Sequence, residues 1–475
     1  MTSVRAKREQ GTTPTASSAG LIIAVMVIAA FVMILNETIV SIALPQLATT
    51  LEVSTSTIQW LISGFLLTMA VVIPMTGFLL NKFSPRTMFL AAVGSFTVGT
   101  LVCAAAPNFA GLLAGRVVQA SGTAVMIPLV MTSVMQLIPA ERRGAMMGTI
   151  SIVIGVAPAI GPTTGGAILA LLGWRWMFWL VFALAVVLFA LGAARLHVPA
   201  KKEPSTLPAG SVALSAGGFA SLLYGLSTLG QPGALVPPWA CLLVSAVLLT
   251  LFVLRQRTLQ QAGTPLLDLR TLTYPRYRTG LLLSLVVFMA LLGAGAILLP
   301  IYLQGVLGHD PFTAGLALLP GGLTMAAISR PAGTWYDRLG ARKLVIPGAM
   351  GMAASLWGLA LVGGAAPLAL VIGIHMALML SLGLMMTPIM ADSLGTLPDP
   401  LHSHGSALLA TLQQVAGALG SAVFVTVATL MSVNAASGPP DGDGIRAGFA
   451  VAGMIALVGV VMSFRVKAPE PRRLP

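Results

Sequence analysis

Fourteen apolar runs, each long enough to cross a bilayer as a helix, recur along the chain and leave it few other ways to fold. A span needs about 20 mostly apolar residues at 1.5 Å of rise each. The runs fall at 21–44, 58–80, 87–106, 110–137, 146–171, 177–196, 211–230, 238–254, 280–304, 313–335, 344–364, 367–391, 405–432 and 445–464. The first is too long for the core of a secretory leader and lacks a small-residue cleavage site, so it is expected to remain as a span. With 57% hydrophobic and 8% charged residues, a soluble core could not absorb this surface. The expectation is an all-α polytopic membrane protein.

Positive charge orients the spans. The chain carries 26 Lys and Arg against 13 Asp and Glu, a net charge of +13. If the N-terminus is cytoplasmic, every basic residue outside a span lies on the cytoplasmic side except Arg175 and Arg446, while Arg116 and Arg330 lie within spans. That is the positive-inside bias, and with an even span count it places both termini in the cytoplasm of a plasma-membrane protein. It also explains the basic balance without nucleic acid as a partner. Cys103 and Cys241 sit in apolar runs and read as packing residues, with no metal or disulfide framework. No G-x-x-x-x-G-K-[ST] loop is present, so ATP is not expected as the direct energy source.

An internal repeat sets the architecture. GFLLNKFSPR (Gly77 to Arg86), between spans two and three, matches GTWYDRLGAR (Gly333 to Arg342), between spans ten and eleven. Pro128 to Gly144 similarly echoes Pro388 to Gly405. Matching loops eight spans apart, where two simple six-helix halves would put them six apart, imply that two helices were inserted between the halves. The expected organisation is a tail over 1–20, disordered and cytoplasmic, and a six-helix bundle over 21–196. Linkers with two inserted helices follow over 197–279, then a second six-helix bundle over 280–464 and a tail over 465–475. Parallel repeats of this kind mark alternating-access transporters with a central site.

Two kinds of residue inside the spans carry further information. Ala157, Gly161 and Gly165, in GVAPAIGPTTGG (Gly155 to Gly166), recur every four residues. They form a smooth stripe where another helix can come close, and such a stripe serves simple packing as readily as sealing one end of a cavity. Pro162 has no N–H for the carbonyl of Pro158, so a bend is expected there. Polar groups in hydrocarbon are costly and point to function. Glu37 is the only acid deep within a span, and Arg116 lies at matching depth, each roughly 12 to 14 Å from the outer surface. The two read equally as a structural salt bridge or as a proton site. Asn36, Gln119, His375, Gln413 and Gln414 are candidates to line a cavity, although helix-to-helix hydrogen bonds would use them as well.

Several of these segments resemble one family. Ala157-x-x-x-Gly161-Pro162-x-x-Gly165-Gly166 is similar to the antiporter motif on the fifth helix of the major facilitator superfamily's drug exporters, with Ala157 where that family often has Gly. LNETIVSIALP (Leu35 to Pro45) resembles the first-helix signature of the fourteen-span drug:proton antiporters. There Asp or Asn stands at the position of Asn36, so the acid here has moved one residue, about 100° around the helix. LLAGRVVQASG (Leu112 to Gly122) resembles the family's fourth-helix motif, whose arginine assists proton transfer. The repeated loop resembles Gly-x-Leu-Ala-Asp-Arg-x-Gly-Arg-Lys. The resemblance implies a latch in which an acid caps a neighbouring helix and pairs with arginine in one conformation. Gly77, Asn81 and Arg86 form the first copy, which has Asn81 and Ser84 where the family has Asp and Gly. Gly333, Asp337, Arg338, Gly340 and Arg342 form the second.

The resemblance implies a major facilitator fold with fourteen helices and a monomeric drug:H⁺ antiporter. It would export amphipathic or cationic small molecules, using the proton gradient and no cofactor, with Glu37 and Arg116 in proton coupling. An uptake symporter of the same fold, against which the Gly161-Pro162 motif argues, and a membrane protein without transport activity are the alternatives. No catalytic constellation points to an enzyme.

Overall fold

A computed structural model describes residues 16–196, 208–229, 236–262, 264–362, 366–432 and 440–466, with the side chains of 16–19, 45, 55, 56, 159, 162 and 311 outside that set. Residues 1–15 of the tail expected over 1–20, residues 467–475 of the tail expected over 465–475, and the linker stretch 197–207 lie outside the described residues. Among the described residues the secondary structure is helical, and fourteen helices have the length of a membrane span if one bent helix is taken as a single span. They are α1 (Ala16–Thr50), α2 (Trp60–Lys82), α3 (Pro85–Ala105), α4 (Phe109–Leu137), α5 (Arg143–Leu172), α6 (Trp174–Arg195) and α7 (Ala209–Ser227). Then follow α8 (Pro238–Gln261), α9 (Pro275–Val306), α10 (Pro311–Leu339), α11 (Arg342–Leu361), α12 (Leu368–Gly395), α13 (His402–Leu430) and α14 (Gly442–Ser463). Each expected apolar run has its helix. α1 starts at Ala16, before the expected residue 21.

Two helices depart from a plain span. α9 is π-helical over Met289–Leu298 and again over Tyr302–Val306. Gly293, Gly295 and Pro300 fall in this stretch, and the wider turn is how a helix accommodates residues that weaken its i→i−4 ladder. α5 bends by 47° between Ala140–Pro158 and Thr163–Leu172. The bend falls where Pro162 was expected to put it, although the Pro162 ring itself is outside the described set.

The repeat is visible in the chain path. α4 and α12 each carry an internal proline, Pro128 and Pro388, and each is followed by a single 3₁₀ turn, Ala140–Arg142 or Asp399–Leu401, before the next long helix. The halves meet along α5 with α10 and α12, and along α13 with α2 and α4. These contacts exchange under the eight-span offset of the repeat. Thr132 and Ser406 hydroxyls (2.7 Å) join α4 to α13, and Thr387 donates to Ser151 (2.8 Å) to join α12 to α5. α7 and α8 pack on each other, and α7 also touches α2 and α13.

The repeated loops make different turns. Gly340 has φ +78° and ψ 169°, an extended positive-φ conformation that costs a side chain about 1–3 kcal/mol and that explains the glycine. Its counterpart Ser84 is extended and caps α3 by accepting from the Thr87 N–H. The segment before α9 is held by Gln256, whose Oε1 accepts from the N–H groups of Leu266 and Leu267 (2.9 and 3.2 Å). Burial there opposes charge on Asp268, but hydrogen bonds from the Arg270 side chain and backbone prevail and hold the carboxyl below its usual range.

Candidate functional site

The end of the bundle carrying the two repeated loops, here the basic end, is shut. Gly144 and Gly333 bring α5 and α10 into backbone contact, and Gly148 does the same against Ser329. The side chains of Asp337 and Tyr336 reach this junction, and the first of them caps it. Asp337 Oδ1 accepts from Gly144 N–H (2.9 Å) and Oδ2 from Ala145 N–H (3.0 Å), placing a carboxylate on the first turn of α5. A helix N-terminus favours an anion. Arg338 and Arg342 are exposed and, among the described residues, form no ion pair with Asp337. The cap is therefore present without the arginine pairing that the resemblance implies.

The symmetry-related contact is neutral. Asn81 Nδ2 lies 3.0 Å from His404 Nε2, joining α2 to the start of α13, and Gly77 leaves room for the same histidine. Arg86 turns away and donates to the Ala193 carbonyl of α6 (2.8 Å).

Toward the other end α5 leaves α10 and turns to α1. Gly155 still faces Met325 of α10, whereas a Cβ at Gly161 would collide with the Thr38 side chain, and one at Gly165 would press on Ile39. Thr38 Oγ1 lies 3.4 Å from the Ala157 carbonyl, and Ala157 is fully buried. The stripe therefore packs on α1 within its own half and immediately beside Glu37. Gly166 does not belong to this contact, because nothing lies near the position of its missing Cβ. Four-residue spacing carries 157, 161 and 165 along one face and turns 166 off it.

Beside this contact a cavity of about 780 Å³ opens between α1, α2, α7, α9 and α13. Its wall is mostly apolar, with Leu66, Leu226, Leu292 and Val425 among the lining residues, and hydroxyls from Ser63, Ser421, Thr426 and Thr429. Glu37 is its one ionisable lining residue among the described residues, and Gln414 lines it too. Glu37 makes no hydrogen bond or ion pair with any described residue.

Arg116 is fully buried behind that wall and does not bond Glu37. Its Nη1 donates to Asn36 Oδ1 (3.2 Å) and Gln119 Oε1 (3.1 Å), and its Nε to the Leu61 carbonyl (3.3 Å). Gln119 Nε2 in turn donates to Thr100 (2.8 Å), and the guanidinium carbon lies 4.1 Å from the centre of the Phe65 ring. Arg116 Nη2 and Asn36 Nδ2 are buried without a partner. Asn36, not Glu37, thus meets the arginine, because consecutive helix residues point about 100° apart.

Of the expected cavity residues, Asn36 and Gln119 belong to the arginine network instead. His375 is buried against Gly321 of α10, and Gln413 is buried with its Nε2 unpartnered. Gln414 alone reaches the cavity, its Nε2 4.0 Å from Met69 Sδ. Sequence reasoning missed the α7 and α9 lining and the hydroxyls of α13. These are small or apolar residues that carry no signal until their neighbours are known.

Known proteins accord with this arrangement. Residues 26–421 match the sequence profile of the Major Facilitator Superfamily. The lincomycin resistance protein LmrB of Listeria monocytogenes is 36% identical over 407 residues, covering 86% of this chain and 86% of that protein. LmrB of Bacillus subtilis is 34% identical over 456 residues, 93% and 94% of the two chains. Among solved structures, the human organic anion transporter MFSD10 (TETRAN) superposes with a TM-score of 0.67 at 16% identity, covering 94% of this chain and 99% of that one, a likeness of fold alone. From the fourteen helices, the paired halves and this match over most of its length, the chain belongs to the Major Facilitator Superfamily of membrane transporters.

Proposed function

We propose that the chain exports amphipathic or cationic drugs in exchange for protons, by alternating access, from a plasma membrane in which both termini and the basic end are cytoplasmic. The observation that carries this reading is Glu37, a lone carboxyl on a mostly apolar cavity wall, one residue from the Asn36–Arg116 contact. In the present state the basic end is capped by Asp337 and the cavity lies toward the other end, so Glu37 exchanges its proton with the outer side. Protonated, it holds no cation, and a positively charged drug leaves. Once the outer half closes and the cytoplasmic end opens, Glu37 gives its proton to the cytoplasm. Its carboxylate is then stabilised by an incoming cationic drug, or by Arg116 through the Nη2 that has no partner here.

The antiporter motif has a part in this reading because Gly161 and Ala157 fix Thr38, the residue after Glu37. The proton gradient supplies the energy without a cofactor, one chain suffices as the working unit, the bilayer is its surround, and nucleic acid has no role. Lincomycin, given the names of the relatives, and quaternary ammonium compounds, given the cationic substrates the reading expects, are the first substrates to try.

The test is transport in proteoliposomes under an imposed pH gradient. Drug and protons are expected to move in opposite directions, and Glu37→Gln is expected to reduce gradient-driven accumulation at least about tenfold while drug exchange persists. Movement in the same direction would identify an uptake symporter. Undiminished proton release on adding drug to Glu37→Gln would remove Glu37 from the role and turn attention to Asp392 or His375.

A further inference from the structure

We infer that the first inserted helix, α7, is a wall of the transport cavity and sets which substrates fit, although the repeat assigns it to neither half. Its substrate contacts rest on the export reading above, whereas its place on the cavity does not. Helix α7 bridges the seam between α2 of one half and α13 of the other. Its Phe219 and Leu223 pack with Ala70 of α2 and reach Val415 and Ala418 of α13. Near its end Tyr224 stacks on Trp60 at the start of α2, with ring centres 6.2 Å apart and planes 26° from parallel. The stack fixes the rotation of α7, and with it the face that Leu223 and Leu226 present to the cavity.

The other inserted helix takes the lipid side. Gly217 and Gly218 of α7 face Leu248 and Leu249 of α8, while Trp239, Leu243, Val247 and Leu251 of α8 are exposed. So α8 shields α7 from the bilayer, and α7 closes a cavity that a twelve-helix arrangement would leave bounded by α2 and α13. The stretch of α13 nearest to it is small, with Gly417, Ala418, Ser421 and Ala422 lining the same space, so across from those residues α7 adds bulk to that supplied by Leu66 of α2 and Leu292 of α9. A ligand with a cationic or polar group at Glu37 and Gln414 would rest its apolar part on Leu223 and Leu226. These side chains then select on the size of that apolar part.

The experiment places single thiols on α7 by Leu223→Cys and Leu226→Cys, with Leu243→Cys on α8 as the lipid-facing control, all in a Cys241→Ser background because Cys103 is buried. A membrane-impermeant maleimide applied from outside should label the α7 thiols and spare the control. A transported drug should slow that labelling several-fold. Leu226→Phe should shift the ratio of kcat/KM between a large and a small drug at least about fivefold, with protons moved per drug unchanged, and Leu226→Ala should shift it the other way. Failure of the α7 thiols to label above the control overturns the inference whatever is transported. Labelling that a transported drug does not slow overturns the specificity role. If no compound is moved by any gradient, the export reading fails, and the labelling still decides whether α7 bounds a water-filled cavity.

Discussion

A one-residue step along α1 separates two chemical tasks. Asn36 points to the Arg116 network and Glu37 to the cavity, so the carboxyl can meet solvent and substrate while the arginine stays dry. Arg116 is then a buried cation with no carboxylate within ion-pair distance among the described residues, and its desolvation is offset by neutral acceptors, the Phe65 ring and the more distant Glu37. Removing one member of a buried polar network leaves its partners unpaired, at about 1–3 kcal/mol for each buried group. Arg116→Met strands Asn36 Oδ1, Gln119 Oε1 and the Leu61 carbonyl without their donor, so it is expected to lower the melting temperature in detergent and to abolish proton-coupled transport. Coupled transport at the wild-type rate by the Arg116→Met protein that still folds would instead make Arg116 a structural strut. The arginine itself was legible in the sequence, because charge in mid-span is costly. Its partners were not, since the Leu61 carbonyl, Phe65 and Thr100 look like any other helix residues until the packing is known. Matched depth allows a Glu37–Arg116 pair, but depth fixes height along a helix and says nothing about which way a side chain faces, and Asn36 takes that place.

At the scale of an element, α5 serves two partners in turn. Its first half meets α10 through Gly144, Gly148 and Gly155, and beyond the bend Gly161 and Gly165 meet α1. Substitutions along it should therefore grade by contact. Gly161→Ala forces Thr38, and with it the turn carrying Glu37, to move. Gly165→Ala meets Ile39 at 3.1 to 3.3 Å and asks for a smaller adjustment. Gly166→Ala meets nothing and gains about 1 kcal/mol of helix propensity. The expected order of initial transport rates at equal protein level is Gly166→Ala near wild type, Gly165→Ala reduced, and Gly161→Ala lowest by about tenfold or more. Full activity for Gly161→Ala would detach the motif from the proton site. Most elements could be read from hydropathy, because a bilayer enforces helices of fixed length and the repeat fixes their pairing. What hydropathy does not encode is the neighbour a helix meets. The π-helical course of α9, the partner of the α5 stripe and the place of α7 on the cavity were all beyond it.

At the scale of the whole molecule, the two repeated loops do the same mechanical job with unequal chemistry. Each fastens one half to the other at the basic end, Asp337 onto the N-terminus of α5 and Asn81 onto His404 at the start of α13. Opening that end must break both. The first contact is an anion on two backbone N–H groups at a helix dipole, worth up to about 2 kcal/mol in partly buried settings, and the second is a neutral hydrogen bond of about 0.5–1.5 kcal/mol. Asp337→Asn keeps the shape and loses the charge, so a destabilisation of about 1–2 kcal/mol would shift the closed-to-open ratio by about 5- to 30-fold. Asn81→Ala should shift it less, because a neutral contact is lost. Spin labels at Arg142→Cys and Lys343→Cys, exposed positions on either side of the α5–α10 junction, measure the opening directly by pulsed electron resonance. The expected result is a second, longer distance that grows strongly in Asp337→Asn and weakly in Asn81→Ala, with transport slowed in the same order. Equal and negligible shifts would mean that the loops serve only to orient the helices, and that the halves are held by the Gly144–Gly333 and Gly148–Ser329 contacts and the Thr132–Ser406 and Thr387–Ser151 hydrogen bonds.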